Sequence, residues 1–228
     1  MKLKSVLIAS AVMFCLIRNS SAQFKTEIGV KGGLNISGLA LGREGKLSGA
    51  SYSNLKGFHF GAYALLKTKK VGIQPEILFS QQGQYYNITN YSNLRTDLSY
   101  LNIPVMIKYY LVGGLHLQAG GQFAFLLSAK GDIVQTTTGG TIQAIMLNQD
   151  LKSYMNSTDF AFAFGAGVDI PFGLNLGIRY NIGQTNINKY HGAAAGASSS
   201  NSPSFSVASA HNQVFQLTVG YRFLKLGK

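Results

Sequence analysis

Four histidines, eight carboxylates and a serine-rich tract are the side chains from which hydrolytic chemistry could be built in this chain of 228 residues. His191 and His211 flank a long connection with many Ser, and Asp97, Asp132, Asp150 and Asp159 lie in or beside other long connections. A nucleophile, a base and an orienting acid are what an acyl-transfer site needs. No spacing singles out a triad, and a Ser-rich tract places Ser near His by chance. Metal ligation needs closely spaced donors, and two histidines separated by a Gly/Ala/Ser tract do not supply them. The sequence therefore reads as non-enzymatic, with no cofactor and no metal.

A second set of charges is more regular. Glu27, Lys31, Glu76, Lys108, Asp169, Arg179 and Arg222 all fall at alternate positions within otherwise apolar, period-two segments. In Thr26–Ile36, Ile28, Val30, Leu34 and Ile36 share one face and Glu27, Lys31 and Asn35 the other, which is strand periodicity. The pattern recurs in Phe58–Lys67, Val71–Ser80, Leu101–Tyr109, Leu115–Leu127, Asp159–Ile170, Leu174–Ile182 and Phe215–Phe223. Each run is about the 9–11 residues that a tilted membrane strand needs, or slightly more. The connections between them alternate strictly between long (38–56, 84–96, 129–158, 185–210) and short (68–70, 112–114, 171–173).

Composition narrows the choice. Hydrophobic residues make up 46% of the chain and charged residues only 12%, with 27 Gly and 12 Tyr. Charge at half the usual level of about 25% is unlike a soluble domain. Residues 1–22 read as a signal peptide, with Lys2 and Lys4, an apolar run Val6–Ile17 and small residues before Gln23. Removing it takes away Lys2, Lys4, Arg18 and Cys15, lowers the net charge from +12 to +9 and leaves no thiol. Residues 23–228 are then one domain, an all-β, eight-stranded antiparallel up-and-down transmembrane β-barrel, expected to be a monomer in the outer membrane of a Gram-negative bacterium. A soluble barrel would turn its apolar face inward. Here the polar face is rich in Gly and short of charge, so it suits a crowded interior. Phe58, Phe79, Tyr109, Phe160, Tyr221 and Phe223 would form an aromatic girdle.

The segments GVKGGLNISGL (29–39), GIQPEILFSQQG (72–83), YLNIPVMIKYYL (100–111), LHLQAGGQFAFLLSAK (115–130), LNLGIRYNIGQTNI (174–187) and NQVFQLTVGYRF (212–223) resemble the Bacteroidota outer-membrane β-barrel family typified by PorT. The resemblance covers the strands and little of the loops. It departs at Asn102, where the family often carries Glu. What it implies is location and fold, and an association of the typical member with gliding and type IX secretion.

The expected function is a membrane and interaction platform, accessory to secretion or surface assembly. A narrow ion channel and a lipid A-modifying enzyme at the outer rim are the alternatives. The seven inward charges would form either a structural ion-pair network or a weakly anion-selective path. Lys67, Lys69 and Lys70 form a periplasmic basic rim, either anchoring at headgroups or docking a periplasmic or secretion-system protein. Outer-loop cations (Arg43, Lys46, Lys56, Arg95, Lys130, Lys152, Lys189) would meet lipid and lipopolysaccharide phosphates, and the aromatic last strand would be read by the barrel-assembly machinery. No nucleic-acid motif is present. Two further expectations are local: Pro75 and Pro104 should sit at bulges or near a rim, and Ile142–Tyr154 should form a short helix.

Overall fold

The computed structural model describes residues 25–42, 51–88, 91–136, 142–189 and 209–227. The signal-peptide reading of residues 1–22, and the positions of Arg43, Lys46 and His191, lie outside the described residues.

Among the described residues, nine strands form one antiparallel sheet: β1 (Lys25–Leu41), β2 (Ser51–Lys67), β3 (Val71–Ile88), β4 (Tyr91–Tyr110), β5 (Leu115–Thr136), β6 (Ile142–Asp150), β7 (Thr158–Asp169), β8 (Leu174–Gly183) and β9 (Ala210–Leu226). Each strand of the order β1-β2-β3-β4-β5-β7-β8-β9 pairs with the next, and β9 pairs back onto β1. Eight strands thus close a ring, and β6 pairs only with the far end of β5.

The period-two segments are correctly placed, but the strands run past them. β4 and β5 span 20 and 22 residues, whereas β7 and β8 span 12 and 10. Much of what reads as loop is therefore sheet that rises beyond the apolar band. The predicted connection 84–96 is a hairpin in which Tyr86 pairs with Leu94 and Ile88 with Tyr91.

The expected helix over Ile142–Tyr154 is absent. β6 occupies Ile142–Asp150, and only Lys152–Tyr154 turns as a single 3-10 turn. The cause is an open edge. β7 follows β5 only as far as Phe125 opposite Thr158, so the ladder groups of Lys130–Thr136 would be unpaired, and β6 takes them.

Neither proline sits at a bulge. Tyr63↔Glu76 and Leu66↔Ile73 share one register on either side of Pro75, as do Pro75↔Val105 and Leu78↔Asn102 on either side of Pro104. Each ladder skips the proline without shifting. A missing N–H costs a rung, and the other neighbour of each strand holds the alignment: Pro75↔Val105 and Pro104↔Gln122 are both paired.

The short connections are tight. Thr68 closes the first by bonding Val71 O through both its N–H and its hydroxyl. Gly113 and Gly114 both have left-handed φ (60° and 85°) in the second, a conformation that a side chain resists.

Candidate functional site

Alternation along the strands decides what lies on each side of the wall. Outward residues are apolar and exposed, from Leu34 (61% exposed) on β1 to Phe123 (60%) on β5 and Ile107, Phe164, Ile178 and Val219 on the other strands. A continuous apolar belt of this extent is far beyond what a water-facing surface carries. Two aromatic clusters lie on it. Phe58, Phe60 and Phe79 have ring centroids 5.4–6.1 Å apart, and Phe160 lies 5.0 Å from Phe123 and 5.2 Å from Phe162. Near the short-turn end Tyr109, Tyr221, Phe223 and Phe172 face outward, Phe172 95% exposed at a left-handed φ of 70°.

The inward set is polar, and it fills the barrel in layers. Glu76 on β3 is the hub of the first. Arg179 on β8 donates to it from Nη1 (2.9 Å to Oε2) and Nη2 (2.7 Å to Oε1), Lys31 on β1 from Nζ (3.0 Å) and Gln74 from Nε2 (2.8 Å). Arg179 Nη2 also reaches Gln118 Oε1 at 3.1 Å. Two cations share one carboxylate here, in a layer sealed from solvent.

Nearer the short turns, Asp169 is the second hub. Tyr110 donates its hydroxyl to Oδ2 (2.8 Å), Lys67 Nζ is 3.6 Å from Oδ2, and Lys108 Nζ is 4.0 Å from Oδ1. Arg222 and Glu27 form a separate pair at 2.9 Å. The seven charges expected to form one network are thus divided among three groups: Glu76 with Lys31 and Arg179, Asp169 with Lys108, and Glu27 with Arg222. Lys67 is not a solvated rim cation. It turns into the mouth, with Nζ 3.5 Å above the Tyr110 ring, whereas Lys69 and Lys70 are exposed on the turn.

Above Glu76 the hub is Asn35, which the sequence places on the polar face without marking it as a hub. Its Nδ2 donates to Phe58 O (3.0 Å) and Gln81 O (2.7 Å), acceptors that fix the amide's orientation. Oδ1 therefore accepts, from Gln216 Nε2 (3.0 Å) and from His59 Nδ1 (2.8 Å). His59 Nε2 lies 3.1 Å from Thr218 Oγ1. Higher still, Asn212 Nδ2 donates to Asp159 Oδ2 at 2.8 Å and to Tyr100 OH at 3.2 Å.

The long-loop end is capped by apolar side chains. Leu98, Tyr100, Ala124, Leu126 and Ala129 from the wall pack with Leu151, Met155 and Ile187 from the segments that bridge above the short strands β7 and β8. Met155 pairs with Asn188, and Leu151 N–H bonds Ala129 O at 2.9 Å, which locks the cap to β5. Beyond it rise the hairpins, held by Asp132. Its carboxylate accepts from the backbone N–H groups of Arg95 (2.9 Å) and Asn148 (2.8 Å), and its carbonyl accepts from the Tyr86 hydroxyl. Arg95 pairs with Asp97 at 2.9 Å, and Lys56, Lys130, Lys152 and Lys189 are exposed in the same outer region.

Among the described residues, those weighed for catalysis form no nucleophile–base–acid set. His59 and His116 are buried in the lumen, Asp159 points inward to Asn212, and His211 belongs to the outward set of β9. Asn156, in one of two glycosylation-type sequons (156–158; the other is 87–89), engages its amide with Asn186 O at 2.8 Å.

Comparison with known proteins agrees with this architecture. The family model described as outer membrane protein beta-barrel domain matches residues 21–189. No curated protein sequence matches the chain. Among solved structures, Neisserial surface protein A is similar at 9% identity and TM-score 0.50, over 87% of this chain and 99% of that one. The attachment invasion locus protein of Yersinia pestis, solved with the heparin analogue sucrose octasulfate, gives 12% identity and TM-score 0.44 over 88% and 99%. The outer membrane protein OprG of Pseudomonas aeruginosa gives 12% and 0.46 over 89% and 96%. At these identities the likeness is one of fold.

Proposed function

Because the chain belongs to the outer membrane protein beta-barrel domain family, we propose that it serves the outer membrane as a closed, non-enzymatic platform whose two ends do the work. The observation that carries this reading is the filled interior. The Glu76–Arg179–Lys31 layer and the Leu98–Tyr100–Leu151–Met155 cap lie at different depths of the same lumen. A barrel of eight strands is just wide enough for side chains to fill, and here they do so with ion pairs below and hydrocarbon above. Solute passage would require both to open.

The wall above the cap supports a role at the surface. β3–β4 and β5–β6 continue as paired sheet past the apolar belt, so they present a rigid edge rather than a slack loop. Exposed Lys56, Arg95, Lys130 and Lys152 suit the phosphates of outer-leaflet lipopolysaccharide. At the other end the short turn offers Lys69 and Lys70 to an acidic periplasmic partner. The likeness of the strand segments to the PorT branch supports an accessory role in secretion or surface assembly. Newly exported chain would reach the membrane through the barrel-assembly machinery, and residues 1–22 would direct that export.

Crosslinking intact cells that carry a tagged copy, followed by gentle solubilisation, tests this. The reading expects specific enrichment of envelope secretion or assembly proteins, lost in Lys69→Glu/Lys70→Glu. Recovery of lipid and assembly machinery alone would remove the accessory role.

A further inference from the structure

We propose that the periplasmic half of the lumen holds a binding site for one small monovalent anion of chloride size, centred on Lys108. Charge is the first observation. Around Glu76 stand Lys31 and Arg179, and around Asp169 stand Lys67 and Lys108. Each carboxylate answers two cations, and the Glu27–Arg222 pair is already neutral. In the short-turn half of the lumen cations therefore outnumber carboxylates, Lys67 being partly exposed at the mouth and the next inward carboxylate, Asp159, lying above the Asn35 layer. A buried cation without an answering charge is costly.

The second observation is Lys108 itself. It is 5% exposed, and its ammonium stands 4.0 Å from the nearest carboxylate oxygen, beyond hydrogen-bond distance. An ammonium has three protons to donate. Asp169 Oδ2 is taken by Tyr110 and neighboured by Lys67, and His116 Nδ1 stands 3.9 Å from Oδ1.

The third observation is the space in front of it. A cavity of about 20 Å³ is lined by Lys31, Gln74, Lys108, Gln118, Asn175 and Thr218, among others. That is room for one water-sized body; a monatomic halide fits with a small adjustment of the lining side chains, and phosphate is too large. The polar groups that can turn to it are mainly donors. Lys31 has two N–H groups beyond the one given to Glu76, and Gln118 has engaged its oxygen with Arg179, so its amide N–H groups remain. Gln74 Oε1, buried without a partner, is an acceptor that one Lys108 N–H can take, leaving the others for the anion. A second cavity, whose lining includes Glu27, Asp169, Gln74, Lys108, Asn175 and Arg222, lies between this site and the short-turn mouth. Lys108, Gln74 and Asn175 line both, so the anion enters from the periplasm. The Glu76 layer stops it from going further, and the site is blind.

Bromide replaces chloride in crystals of the whole barrel, and its anomalous scattering locates it. The expected result is a peak at hydrogen-bond distance from Lys108 Nζ in wild type, absent in Lys108→Met and retained in Lys108→Arg. Thermal unfolding in detergent, in sodium chloride against sodium gluconate at equal ionic strength, gives a second readout. Wild type should unfold at a higher temperature in chloride, and Lys108→Met should lose that difference. Bromide only on the outer surface overturns the proposal. So does equal unfolding in the two salts, or a chloride effect unchanged in Lys108→Met. Should Lys108→Met fail to fold, the wild-type bromide map decides alone.

Discussion

Arg179 grips Glu76 across the lumen through two parallel hydrogen bonds of 2.7 and 2.9 Å, joining strands that lie 103 residues apart in the chain. A bidentate, charge-assisted pair is among the strong hydrogen-bonded contacts a side chain makes, and this one has Lys31 as a third member. Removing the shared carboxylate should therefore do more harm than removing either cation. Glu76→Gln leaves two buried cations unanswered and is expected to cost about 3–5 kcal/mol. Arg179→Met leaves Lys31 with Glu76 and should cost less. Urea unfolding of the refolded barrel measures both, and equal stability of Glu76→Gln and wild type would refute the hub.

The cap predicts a local effect. Leu151 is fully buried among Leu98, Leu126 and Met155. Leu151→Ala should cost about 2–5 kcal/mol. Hydrogen exchange should quicken in 151–157 and 184–189 while the Glu76 layer stays protected. Uniform loss of protection would mean that the cap and the lower layer are one unit.

Asp97, on the part of β4 that rises beyond the apolar belt, predicts a pH effect. Burial pushes its pKa above the ordinary aspartate value, Arg95 opposes this and Asp132 adds to it. The folded chain then holds the proton more readily than the unfolded one. Stability contributed here rises as pH falls through the folded pKa and is lost as pH rises above it. The difference in stability between wild type and Asp97→Asn should therefore shift in favour of wild type on acidification from neutrality. An opposite shift would show that the Arg95 pair dominates.

The short turn separates two kinds of lysine. Lys69→Glu/Lys70→Glu should change stability by no more than about 0.5 kcal/mol. Lys67→Ala removes the cation above Tyr110 and should cost about 1 kcal/mol. Thermal unfolding of the two variants checks the ordering.

What could be read in the sequence follows from what is local. Period two assigned Glu27, Lys31, Glu76, Lys108, Asp169, Arg179 and Arg222 to one face, because side-chain direction is a property of each strand alone. Their partners depend on how strands stagger around a ring, and that is global. Hence the division into three groups, and the place of Asn35 as a hub, had no sequence signal. Ile145, Leu147, Leu151 and Tyr154 suggest a helical face, since a short apolar run carries little periodicity. Only the open edge of β5, visible once β7 is seen to start at Thr158, makes Ile142–Asp150 a strand. The bulge expected at Pro75 or Pro104 is absent for a similar reason: a lost rung on one side is tolerated when the other side keeps register.

The filled lumen is the central claim, and single-channel recording of the purified barrel in planar bilayers tests it most directly. Wild type should give no reproducible step openings at moderate voltage. Reproducible openings, with a conductance altered by Glu76→Gln or Leu151→Ala, would contradict a closed platform and make this chain a channel.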